Sequence, residues 1–204
     1  MRSPRTFAIW GILALAVAVP IVAAAFSPQL AWRSPVYIAA GFFGILAMAL
    51  LLIQPLLMST YLPGIPPLLG RRIHRWTGSL LVASVVLHVA GLWITSPPDV
   101  IDALTFTSPT PFSDWGVIAM WALFATALLA AFRSKLRLRP RNWRIAHTFL
   151  ALVIVAGSVA HAMLIEGTME TLSKVMLCAL VIAATMKVIY DFWVWVRRTP
   201  PRTS

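Results

Sequence analysis

Four histidines are the side chains of this sequence best suited to chemistry, and they occur as two pairs with the same spacing. His74 and His88 are 14 residues apart, and so are His147 and His161. In an α-helix, 14 residues return to within about 40° of the same face and rise roughly 21 Å. Two such helices side by side would hold one histidine pair near each end. Paired imidazoles are axial ligands of haem iron, so the spacing predicts two stacked haems, one held by His74 and His147 and the other by His88 and His161.

The composition places these helices in a membrane. The chain is 60% hydrophobic and 11% charged, with a mean hydropathy of +0.85, unlike an ordinary soluble domain. We expect an all-α polytopic membrane protein, a single domain over 1–204 whose six-helix bundle holds the two haems. The predicted spans are about 7–26, 36–57, 75–95, 114–132, 143–163 and 172–196. The first span resembles a signal peptide in its basic start and alanine-rich end, but its apolar stretch is longer than is typical, and we expect it to be retained.

The charged residues predict the orientation of the bundle. Basic residues concentrate at both termini and in connections 59–72 and 133–142, whereas the other connections hold the acids Asp99, Asp102, Asp114, Glu166 and Glu170. Cytoplasmic loops of membrane proteins are enriched in Lys and Arg. We therefore expect an integral protein of a bacterial inner membrane with both termini in the cytoplasm. The net charge of +11 then reflects topology and contact with membrane lipid, and no nucleic-acid partner is expected.

Other roles for the histidines fit the sequence less well. Zinc needs four ligands at one point, but the two pairs lie at different depths. A proton relay would want a buried carboxylate beside them, and packing residues would not explain the equal spacing. Cys178 is the only cysteine, so covalent attachment through C-x-x-C-H is excluded and both haems should be b-type. Four arginines flank the inner pair and either contact haem propionates or act only as topology determinants: Arg71, Arg72, Arg75 and Arg144.

The His-x13-His pattern in the third and again in the fifth of six predicted spans resembles the ferric reductase-like transmembrane domain superfamily. Its members include ferric reductases, NADPH oxidases and the haem-binding subunit of bacterial methionine sulfoxide reductase systems. The resemblance implies that the four histidines are haem ligands and that the chain is an oxidoreductase component. In larger members a cytoplasmic flavin- and nicotinamide-binding module follows the sixth helix. This sequence contains no Gly-rich dinucleotide motif, so no NAD(P)H site is predicted within it, and a bound flavin is possible but supported by no motif.

The expected function is transmembrane electron transfer. Electrons would pass from a cytoplasmic donor, a flavoprotein or a quinol, through the inner and outer haems to an acceptor outside. The acceptor would be a ferric chelate, oxygen or a periplasmic redox protein. One alternative is a haem-binding subunit that feeds a periplasmic reductase such as a methionine sulfoxide reductase, and another is a non-haem transporter or structural protein. The outer connection 95–114 carries three aspartates and no basic residue, which either suits a cationic acceptor or only reflects the exclusion of acids from the inner side.

Overall fold

Prolines mark where six of the seven described α-helices begin. A proline fits the first turn of a helix because its missing N–H would have no partner there and its φ is already helical. The computed structural model describes residues 3–59 and 61–198, without the side chains of 192, 193 and 195–198. Within these residues a short 3-10 turn, Pro28–Leu30, follows the first of seven α-helices, which are α1 (Pro4–Ala25), α2 (Pro35–Met58), α3 (Pro67–Thr95), α4 (Pro97–Leu104), α5 (Pro111–Ala131), α6 (Pro140–Leu164) and α7 (Thr171–Arg198).

Six of these helices are long and apolar enough to cross a membrane: α1, α2, α3, α5, α6 and residues Thr171–Asp191 of α7. The predicted all-α class and the six spans are confirmed. Two boundaries differ from expectation, because α3 begins about two turns before residue 75 and α4 occupies part of the connection 95–114. The early start of α3 places His74 well inside the helix. Some residues used in the charge argument lie outside the described residues or have no described side chain: Arg2, Arg197, Arg198 and Arg202.

Two antiparallel helix pairs, α2 with α3 and α5 with α6, form the body of the bundle. Helix α2 also packs against α7 and α1, and α7 packs against α6. The fully buried side chains of Leu177 and Val181 on α7 join the core residues of α2, such as Leu50, in one hydrophobic cluster. We call the end of the bundle that carries the basic connection 132–139 the inner end, and the opposite end the outer end.

Side chains at the inner end tie α1 and α7 to the connection between α2 and α3. The indole of Trp10 donates a hydrogen bond to the carbonyl of Pro63, 3.2 Å away. The Tyr61 hydroxyl donates to the carboxylate of Asp191, which also pairs with Lys187 at 2.6 Å. These contacts hold the last helix against the first hairpin at the inner end.

At the outer end, the start of α7 is fixed by Glu170 and Lys174. The Glu170 carboxylate accepts backbone hydrogen bonds from Leu172 at 2.7 Å and Ser173 at 2.9 Å. The N–H groups of Ser173 and Leu172 stabilise the charged form and hold the pKa of Glu170 below its ordinary value. Lys174 is buried and donates to the carbonyl of Ile165, 2.8 Å away, which joins α7 to the end of α6.

The close crossing of α5 and α6 yields a test of the packing. A Cβ at Gly157 would lie 2.9 Å from the carbonyl oxygen of Trp115 and 3.0 Å from the Cβ of Ala119, whereas a Cβ at Gly11 on α1 meets nothing within 4 Å. We expect Gly157→Val to lower the free energy of unfolding by about 1–3 kcal/mol, because the two backbones must separate. Thermal loss of helical circular dichroism in detergent measures the effect, with Gly11→Val as the control. Equal melting temperatures for the two variants would contradict this packing.

Candidate functional site

The two histidine helices face each other and bring the predicted pairs together. His74 on α3 and His147 on α6 lie with ring centroids 6.2 Å apart and ring planes at 69°. His88 and His161, one on each of the same helices, lie 6.4 Å apart at 82°. The partners are those expected from depth in the membrane. The 14-residue spacing along each helix separates the inner pair from the outer pair by roughly 21 Å.

Backbone carbonyls fix the orientation of three of the four imidazoles. Nδ1 of His88 lies 2.7 Å from the carbonyl oxygen of Ala40, and Nδ1 of His161 lies 2.8 Å from that of Phe112. His74 makes the corresponding, longer contact of 3.3 Å with Gln54. A carbonyl oxygen can only accept, so each of these bonds assigns the ring proton to Nδ1 and leaves the lone pair on Nε2. Metal-binding histidines are commonly held in this way.

Two glycines on the neighbouring helices make room for the outer histidines. Gly44 and Gly116 lie one turn beyond Ala40 and Phe112, on α2 and α5. A Cβ at Gly44 would lie 3.1 Å from Nδ1 of His88, and one at Gly116 would lie 2.7 Å from Nδ1 of His161. The second distance is shorter than real Cβ contacts, so the ring and the helix backbone approach this closely only because the residue is glycine.

These contacts reveal a repeat that extends beyond the histidine spacing. The outer histidine of α3 lies 48 residues after its carbonyl partner on α2, and that of α6 lies 49 residues after its partner on α5. In both hairpins a glycine follows the accepting residue by four positions. Sequence reasoning found the matching histidines but missed Ala40, Gly44, Phe112 and Gly116. The sequence carries a signal for the two glycines, which precede His88 and His161 by 44 and 45 residues, but none for the carbonyl partners.

The distances within each pair test which group the imidazoles fit. A direct N–H···N hydrogen bond would bring the ring centroids to roughly 5.2 Å. One metal ion bound by both rings, with bonds of about 2 Å, would place them roughly 6.3 Å apart. The observed 6.2 and 6.4 Å match the second arrangement. Within residues 3–59 and 61–198, no three His, Cys, Asp or Glu side chains converge on one point. The donor set therefore suits an iron that brings its own equatorial ligands, as haem does.

The four arginines considered for the propionates lie at the inner end. Arg71 is within about 60° of His74 around the axis of α3, whereas Arg72 is about 160° away. Arg72 and Arg75 line a shallow surface cavity of about 320 Å³ together with Trp76 and Ser79. None of these guanidinium groups, nor that of Arg144, forms an ion pair with a described carboxylate. Their contact with haem propionates stays a prediction.

A second cavity, of about 320 Å³, lies at the outer end and was not foreseen from the sequence. Tyr37 in its wall is one turn before Ala40, the hydrogen-bond partner of His88. The guanidinium of Arg33 lies 4.8 Å from the ring centroid of Tyr37. The cavity therefore reaches to within a helical turn of Ala40, the residue whose carbonyl holds His88. Its lining is polar and carries both signs of charge: Gln29, Ala31, Arg33, Tyr37, Glu166, Gly167 and Thr168.

The family model for the "Ferric reductase like transmembrane component" matches residues 41–158. This range runs from α2 into α6 and includes His74, His88 and His147, whereas His161 lies three residues beyond it. No curated protein and no solved structure matches the chain.

The glycine contacts generate a test of the outer pair. Gly116→Ala places a methyl group 2.7 Å from Nδ1 of His161, so the ring must turn and lose its hydrogen bond. We expect a loss of about 10–100-fold in haem affinity at the outer pair, as for other changes behind metal-binding histidines. Gly44→Ala should have a smaller effect, because its nearest distance is 3.1 Å.

Haem retained after dilution, followed by absorbance, measures this affinity. Gly167→Ala is the matched control, because its Cβ would make only ordinary contacts of 3.7 and 3.8 Å with Ile165. If Gly116→Ala and Gly167→Ala retain haem equally, the close approach of Gly116 to the ligand is wrong.

Proposed function

The chain belongs to the family of ferric reductase-like transmembrane components, and from that premise we propose that it holds two b-type haems and carries electrons across a membrane. The observation that carries the proposal is the spacing within the two histidine pairs, which lie at two depths of one bundle. Their ring centroids are 6.2 and 6.4 Å apart. Family members generally bind haem. The six apolar helices support a site inside the membrane.

In this proposal each residue of the site has a defined role. Nε2 of His74 and His147 would hold the inner iron, and Nε2 of His88 and His161 the outer iron. When bound, each haem supplies reversible one-electron reduction of its iron. The carbonyls of Gln54, Ala40 and Phe112 keep three imidazoles in the correct tautomer and rotation, and they increase the basicity of these ligands. The apolar helices around the pairs exclude water, which is one of the means by which a protein tunes haem potential.

The charge distribution supports a direction for the electrons. We place the inner end in the cytoplasm, where a flavoprotein or quinol would reduce the inner haem. The three arginines and one lysine of connection 132–139 would attract an acidic surface of such a donor. Electrons would leave from the outer haem to a ferric chelate, oxygen or a periplasmic redox protein. The outer cavity beside Tyr37, within a turn of the hydrogen-bond partner of His88, supports an acceptor approaching there.

The first test of this proposal is the haem content of the purified protein. We expect two b-type haems per chain by pyridine haemochrome. His74→Ala or His147→Ala should remove the inner haem, and His88→Ala or His161→Ala the outer one, since each iron loses one of its two axial ligands. A wild-type protein with one haem or none would refute the proposal. Loss of both haems from every single variant would show that the two sites are not independent.

The second test concerns orientation. Single cysteines introduced at exposed positions of connection 132–139, in a Cys178→Ser background, should react with a membrane-impermeant thiol reagent only after cells are permeabilised. Cysteines in connection 105–110 should react in intact cells. The physical reason is that basic segments are retained on the cytoplasmic side. The opposite labelling pattern would reverse the assignment of the donor and acceptor ends.

A further inference from the structure

His147 differs from the other three histidines in its second ring nitrogen. Nδ1 of His74, His88 and His161 each contacts a backbone carbonyl. Nδ1 of His147 is buried and has no hydrogen-bond partner. No carbonyl therefore fixes its tautomer or its rotation. Some other contact must orient this ring if it is to serve as a ligand.

The internal repeat shows where a carbonyl partner is missing. On α2 the two accepting residues, Ala40 and Gln54, are 14 residues apart and match the spacing of the histidines that they hold. The residue 14 positions after Phe112 on α5 is Thr126. Its hydroxyl donates to the carbonyl of Ala122 at 2.8 Å, but its own carbonyl makes no bond to His147. The second hairpin departs from the repeat at this contact.

An aromatic stack occupies this position instead. Trp143, one turn before His147 on α6, lies parallel to the imidazole, with centroids 5.3 Å apart and planes at 19°. The guanidinium of Arg133, in the connection after α5, lies 4.9 Å from the centroid of the Trp143 ring. The three side chains form one stack that ends on the imidazole. A parallel stack resists rotation of the imidazole but accepts no proton from it.

We propose that Trp143, held in place by Arg133, is the positioning residue for His147 and raises the redox potential of the inner haem. The inference rests on the proposed function, since it concerns a haem at the inner pair. Three effects act in the same direction. An imidazole without a hydrogen bond at Nδ1 is less basic and stabilises the ferric iron less. The charge of Arg133 favours the state with one more electron, and Trp143 excludes water from the ligand.

The test compares variants of the stack in the full chain by electron paramagnetic resonance and potentiometric titration. The low-spin ferric signal depends on the angle between the two imidazole planes, so it reports rotation of His147. We expect Trp143→Leu to change the signal of the inner haem and to lower its midpoint potential. Trp143→Phe, which keeps an aromatic ring at this position, should have the signal and the potential of the wild type. Arg133→Gln should lower the inner potential and shift the inner signal in the same direction as Trp143→Leu but by less, because Trp143 remains and loses only the cation that holds it. The inner signal is identified as the one lost in His147→Ala.

Two control variants test whether the effects are specific to the stack, because they remove a cation or a tryptophan that lies outside it. Lys135→Gln removes a cation of the same connection that lies over Phe132 rather than Trp143. Trp76→Leu removes an exposed tryptophan at the inner end of α3. Neither should change the inner signal or potential, and the outer haem should be unchanged in all variants.

The outcomes distinguish the inference from the proposed function. Wild-type protein with fewer than two haems contradicts both. Two haems in the wild type, with Trp143→Leu and Arg133→Gln indistinguishable from their controls, would overturn the inference and leave the proposed function standing. If Trp143→Leu fails to retain the inner haem, Arg133→Gln becomes the deciding variant. An inner midpoint potential equal to that of the wild type in Arg133→Gln would then overturn the inference.

Discussion

The hydrogen bond from a buried imidazole N–H to a helix carbonyl is the interaction on which this architecture depends. In an apolar environment an unpaired polar group costs several kcal/mol, and water is not available to replace the partner. The backbone of the neighbouring helix is the nearest acceptor, so His88 ties α3 to α2 and His161 ties α6 to α5. Each bond requires the two helices to approach closely, and Gly44 and Gly116 permit that approach. The two hairpins are thus built around their histidines.

Three of the four histidines, His74, His88 and His161, are held by a backbone carbonyl of their own hairpin, and the rings of each pair meet across the two hairpins. The gap between the hairpins is then set by helix packing, and the centroid separations of 6.2 and 6.4 Å would suit one metal ion between the rings at each depth. Helices α1 and α7 contribute no histidine. Helix α1 packs against α2 and α7, and α7 packs against α2 and α6, where the buried side chains of Leu177 and Val181 close the core. The bundle therefore separates the helices that carry the site from those that support it.

Sequence analysis predicted the pairing of the histidines from the rise and rotation of an α-helix, and the six spans from hydropathy and apolar length. It missed the start of α3, since Arg71 and Arg72 lower the hydropathy where the helix already runs from Pro67. It also missed α4, because the proline-rich connection suggested a loop. The carbonyls of Ala40, Gln54 and Phe112 were not predictable from residue type, because every residue carries the same acceptor. Only the three-dimensional pairing of the helices shows which carbonyls are used and that His147 lacks one.

The asymmetry at His147 has a consequence for electron transfer in the proposed direction. A raised potential at the inner haem makes its reduction by a cytoplasmic donor easier and the next step, to the outer haem, harder. The membrane field compensates, because an electron moving outward travels toward the positive side. Moving one charge across the whole membrane changes its energy by about 2.3 kcal/mol per 100 mV, and the roughly 21 Å between the pairs is about two thirds of a hydrocarbon core of about 30 Å. The missing hydrogen bond at His147, and the higher potential that we infer for the inner haem, are therefore compatible with outward electron transfer in an energised membrane.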